Sequence, residues 1–97
     1  MLKTLPFDPA DYLTTVESQE MLLDDAFASG DATYITNALG IVARARGMSQ
    51  VAREAGVTRE ALYKALTASG DPKLSTLLGV AKALGFRLSL TQTEAEP

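Results

Sequence analysis

Helix stops recur along this chain at intervals too short for any long element. Gly30, Gly47, Gly56 and Gly85 each close a run of helix-forming residues. Asp31 and Thr58, whose side-chain oxygens can accept from free helix N–H groups, stand just before a new run. Between stops the apolar residues return every three or four positions, not every second one. The pattern predicts an all-α bundle of about five helices in one domain over 1–97. Within it, 1–30 forms an acidic N-terminal extension, 31–85 the helical core, 86–90 a short strand and 91–97 a frayed tail.

The runs can be placed individually. Asp8-Pro9 reads as a cap followed by a first-turn proline, opening a short helix through Leu13. Thr14 to Glu17 matches a capping box and starts a helix that lasts to about Ser29, with Val16, Leu22, Leu23, Ala26 and Phe27 on one side. Asp31 caps a helix over 32–46, whose stripe contains Ile35, Ala38, Leu39, Val42 and Ala45. Ser49 caps a short helix ending at Gly56, and Thr58 caps another over 59–67. A last helix over 74–84 carries Leu74, Leu77, Leu78, Ala81 and Leu84 on one face. Phe86 to Leu90 alternates apolar and polar, as a strand does. One strand cannot pair with itself, so it needs a partner, and a second copy of the chain is the simplest one.

The stretch 48–67 meets the demands of two short helices crossing at a steep angle over a tight turn. Ala52 is small where the helices approach, and Gly56 tolerates positive φ at the turn. Val51, Ala55, Val57, Leu62 and either Ala65 or Leu66 supply the inward positions.

Charge is distributed unevenly around this stretch. The net charge is −3, yet residues 1–43 hold one base against seven acids and residues 44–87 hold eight bases against three acids. Such asymmetry predicts a basic surface for an anion and an acidic surface for something else. The chain has no Cys and no His, which removes disulfides, thiolate metal sites and the commonest general base. Asp24 and Asp25 are adjacent, so on a helix they point about 100° apart and form no carboxylate pair. No glycine-rich phosphate loop is present. An enzyme, a metal site and a cofactor are therefore not expected. Lacking an apolar run of about 20 residues or a signal-peptide pattern, the chain is expected in the cytoplasm.

Val51-Ala52, Ala55-Gly56-Val57-Thr58 and Leu62 resemble the helix-turn-helix of lac-repressor-like and phage-repressor-like (lambda-repressor-like) regulators. On that reading the second helix enters the major groove N-terminal end first, with Thr58, Arg59, Glu60, Tyr63, Lys64 and Thr67 facing outward. Arg59 is the best candidate for a two-pronged contact to guanine. Glu60 either accepts from cytosine or, preferably, pairs with Lys64 one turn on. Tyr63 either reaches the sugar-phosphate backbone or is a partly buried core residue. Ser49 and Gln50 begin the first helix of the pair, where free N–H groups suit a phosphate. Arg44, Arg46, Arg53 and Lys73 are further backbone-contact candidates or simple solvated charge. Gln50 and Gly56 are six positions apart, closer than in phage-repressor-like domains, which weakens the carry-over of a phosphate role to Gln50.

Across nearly its whole length the sequence resembles the bacterial addiction-module antidote proteins, relatives of HigA-type antitoxins. The resemblance rests on Asp11-Tyr12-Leu13, Gly30-Asp31, Ala38-Leu39-Gly40, the run from Ala43 to Ser49, the run from Gly56 to Leu66, Pro72, Thr76-Leu77 and Ala83-Leu84-Gly85. It implies a homodimeric repressor that binds double-stranded operator DNA of its own gene. It also implies a cognate toxin partner, typically a small, basic, RelE-like endoribonuclease. The competing expectation is a protein-binding module, or a stand-alone transcriptional regulator, whose main role is docking a partner through the acidic helix over 16–29.

Overall fold

Asp31 accepts at Oδ1 from the N–H groups of Thr33 (3.0 Å) and Tyr34 (3.3 Å), and from that cap starts the central helix of the protein. The computed structural model describes residues 15–67 and 69–93. They form α1 (Val16–Ser29), α2 (Ala32–Arg46), α3 (Met48–Ala55), α4 (Arg59–Ala65) and α5 (Leu74–Ala83). Among the described residues there is no strand, and no helix is long and apolar enough to cross a membrane. The short helix expected over 8–13 lies outside the described residues.

α2 forms the hub. Ala38, Leu39, Val42 and Ala43 are all buried and join Leu23 and Ala26 of α1, Val51 and Ala52 of α3, Leu62 of α4 and Val80 of α5 in one apolar cluster. Two polar ties supplement the α1–α2 packing. Arg46 donates from Nε to Oε1 of the buried Gln19 at 2.6 Å, and the Tyr34 hydroxyl donates to Oδ2 of Asp25 at 2.6 Å.

Several boundaries depart from the sequence pattern, each for a local reason. The cap of α1 is Thr15, not Thr14. Thr15 Oγ1 accepts from the Ser18 N–H at 3.0 Å while the Ser18 hydroxyl returns to the Thr15 carbonyl at 2.9 Å, so serine takes the place expected for Glu17. Ser49 does not cap α3. Gly47, at φ 113, ends α2 and opens α3 with no side-chain cap, and Met48 is drawn into the core. α4 ends at Ala65, two residues early, where the backbone of the buried Leu66 leaves helical geometry (φ −106, ψ 28). Gly40 makes room for it: a Cβ there would stand 2.6 Å from the Leu66 carbonyl oxygen.

On α5 the buried residues are Val80 and Ala81, followed by Leu84, whereas Leu74 and Leu78 are exposed. Gly79 lies against α3, where a Cβ would come within 2.9 Å of the Ala55 carbonyl oxygen. This close backbone approach turns Val80 rather than Leu78 to the core. Past α5, Gly85 donates to the Lys82 carbonyl and Phe86 to the Ala81 carbonyl, a Schellman stop that sends residues 86–93 back toward α1. Along that segment Phe86 and Leu88 are half-buried while Arg87, Ser89 and Leu90 are exposed, so the expected alternation holds only as far as Ser89, and no ladder forms among the described residues.

Candidate nucleic-acid interface

The α3–α4 pair is held by the same device that ends α5. Gly56, at φ 79, donates to the Arg53 carbonyl (3.3 Å), and Val57 donates to the Ala52 carbonyl (3.0 Å). Only glycine enters this left-handed position without strain. The chain then needs one extended residue, Thr58, before α4 begins, and Thr58 Oγ1 accepts from the Ala61 N–H at 3.0 Å. With Val51, Ala52, Leu62 and Leu66 all buried, the rotation of both helices about their axes is fixed. Of the two candidates for the last inward position, Leu66 takes it and Ala65 is only half-buried.

The opposite face of α4 is free. Thr58, Arg59, Glu60, Tyr63, Lys64 and Thr67 are all exposed, as are Ser49, Gln50 and Arg53 around α3. The Arg59 guanidinium lies over the Tyr63 ring, 5.4 Å from its centroid. Tyr63 is 40% exposed, so it belongs to this outer face and not to the core. No ion pair joins Glu60 to Lys64 among the described residues. Gln50 donates from Nε2 to Oε2 of Glu54 at 3.3 Å, which engages the side chain whose phosphate role the spacing had already weakened.

The other basic residues separate into two groups. Lys73 and Lys64 line one hollow of about 580 Å³ between α4 and the start of α5, together with Thr67, Ser69 and Gly70. Gly70 folds tightly onto the end of α4, its N–H donating to the Thr67 carbonyl at 2.9 Å. Arg46, by contrast, is taken up by Gln19 at the α1–α2 contact, and Arg44 is half-buried. Sequence reasoning missed the Arg59–Tyr63 stack, although the four-residue spacing of a cation and an aromatic on a helix was its signal. The joining of Lys64 to Lys73 had no local signal, since it depends on the path of the 67–73 connection.

The fold and this face define a small all-helical protein with an exposed, cation-bearing short-helix pair. Residues 3–92 match the family model described as probable addiction module antidote protein, and the chain belongs to that family. It is 42% identical over 87 residues to an uncharacterised protein of Haemophilus influenzae (strain Rd), a match covering 90% of each chain. No solved structure matches it.

Proposed function

We propose that this protein is a HigA-like antitoxin that represses its own operator, acting in the cytoplasm as a homodimer and by binding, not catalysis. In this reading α3 and α4 are a helix-turn-helix of lambda-repressor-like type, and α4 lies in the major groove of double-stranded DNA. Arg59 reads guanine, Tyr63 and Thr67 border it, and Lys64, Lys73, Ser49 and Arg53 meet phosphates. The cognate partner is a small toxin of the RelE-like endoribonuclease class. The segment 86–90 pairs with its copy across the dimer axis.

The observation carrying the DNA part is the geometry of α4: a helix capped at Thr58, buried at Leu62, with Arg59 stacked on Tyr63 and pointed away from the core. The family carries the antitoxin part. A gel-shift titration on DNA upstream of the chain's own gene tests the DNA part. If a dimer neutralises about six phosphates, log K falls against log[salt] with a slope near −5. Half-sites lie roughly 34 Å apart or a multiple of that. No retardation at low salt, with or without the partner, overturns it.

A second reading, a module whose main role is partner docking, is favoured by one observation. α1 carries its acids and an exposed Met21 away from the α3–α4 face, on a surface that the DNA reading does not use.

A further inference from the structure

α1 packs on α2, and the chain leaving α5 doubles back beside it, so a groove of about 1130 Å³ remains between α1 and residues 84–93. Its floor is apolar, with Leu23, Leu39 and Leu84 buried beneath half-buried Phe27 and Phe86. Its edges expose two large apolar side chains, Met21 at 72% and Leu90 at 101%. Contiguous apolar surface with a polar rim marks a contact site for another macromolecule.

The rim has a sign. Glu17, Glu20 and Asp24 border the groove at helical spacing along α1, and Arg87 is the one base among the lining residues. Together with Met21 and Ala28 the three acids place acidic and apolar positions on one face of α1 over twelve residues, a length of about 16 Å or three helical turns. A groove of this kind takes an amphipathic helix whose apolar face covers the floor and whose border carries Lys or Arg opposite the three carboxylates.

Two other occupants fit less well. Residues 1–14 of this chain hold one base, Lys3, against Asp8 and Asp11, a poor complement to an acidic rim. The pairing proposed for 86–90 would use the backbone edge of that segment; a second copy seated symmetrically in the groove itself would set the same three carboxylates against their equivalents, since a two-fold contact matches a patch with itself.

We propose that this groove seats a basic amphipathic helix of another protein. The proposal rests on the antitoxin reading only for the identity of that protein, which would be the toxin.

The test uses the full-length protein and two probes. One is an 18-residue Leu/Lys amphipathic peptide, with a Leu/Glu peptide of the same pattern as control. The other is the protein encoded beside this chain's gene. At physiological salt the Leu/Lys peptide is expected to bind and to shift the amide resonances of Met21, Leu88 and Leu90, while the Leu/Glu peptide does not. The double variant Glu20→Lys, Asp24→Lys is expected to weaken peptide binding at least tenfold, and Met21→Ser several-fold. Arg59→Ala with Lys64→Ala leaves it unchanged. All the substituted residues are exposed, and circular dichroism verifies that each variant is folded.

Failure of the Leu/Lys peptide to bind, binding mapped elsewhere, or equal binding to the charge-reversed variant overturns the proposal. So does loss of a homodimer on Met21→Ser, which would make a second copy the occupant. If the neighbouring gene's product binds wild type and the charge-reversed variant equally, the groove proposal fails and the antitoxin reading stands. If the peptide occupies the groove and the neighbour binds nothing, the groove stands and the antitoxin reading fails.

Discussion

The Arg59 guanidinium stacks on the face of Tyr63 one turn further along α4, 5.4 Å from the ring centroid. Both residues are exposed, so the contact does little for the core. Its effect is to restrict the rotamers of a long side chain before any ligand arrives. Arg59→Ala is expected to cost about 1–3 kcal/mol of operator affinity and to relax preference at one base pair. Tyr63→Leu should lose part of this, and Tyr63→Phe, which keeps the ring, should lose less. Competition binding against operators altered at single positions checks it. Equal loss across all sequences would make Arg59 a phosphate contact instead.

Of the two glycines inside helix crossings, Gly40 is expected to tolerate substitution less than Gly79. A Cβ there meets the Leu66 backbone carbonyl at 2.6 Å, and a backbone atom cannot rotate away as a side chain can. Gly40→Ala should therefore push α2 from the end of α4 and cost about 1–3 kcal/mol, the usual range for overpacking. Gly79→Ala, facing the Ala55 carbonyl oxygen at 2.9 Å, should cost less. Urea unfolding of the two variants gives the order. A neutral Gly40→Ala would mean that the helices separate freely at this crossing.

These two glycines also show where sequence reading ends. Gly56 and Thr58 were legible because a left-handed stop and an N-cap are local requirements, complete within a few residues. Gly40 and Gly79 sit inside helices, where a lone glycine looks like a weak helix former until the neighbouring helix is in place. The same limit explains α5. Leu74 and Leu78 outrank Val80 in a stripe drawn from spacing alone, and only the close approach of Gly79 to Ala55 selects Val80. On the candidate site, the outward set of α4 followed from Leu62 and the cap. The separation of Arg46 from the other bases did not, because Gln19 lies 27 positions away in sequence.

Arg46 is accordingly expected to act on stability, not on DNA. Its Nε donates to Gln19 Oε1, and Gln19 is 4% exposed. Arg46→Ala removes a charged donor from a buried acceptor and should cost about 1–3 kcal/mol. Operator affinity measured well below the melting temperature should stay within twofold of wild type, whereas Lys64→Ala should weaken binding and flatten the salt slope by about one unit. A salt slope reduced by Arg46→Ala would place that side chain on phosphate after all.

The Tyr34–Asp25 bond makes part of the α1–α2 contact depend on pH. Donation to Asp25 raises the Tyr34 hydroxyl above its ordinary 10.0, with burial and then the negative charge of Asp25 acting in the same direction. A folded-state value above the unfolded one means that the folded chain holds this proton more tightly. The stabilisation is therefore complete below about pH 10 and is lost as pH rises from there through the raised value. Tyr34→Phe is expected to be less stable than wild type at pH 8, with the difference shrinking above pH 10. Paired urea titrations at pH 8 and pH 11 read this directly. A non-zero difference that stays constant across that interval would show that the hydroxyl contributes without dependence on its ionisation, and no difference at either pH would leave ring packing, which phenylalanine keeps, as the whole of the Tyr34 contribution to the contact.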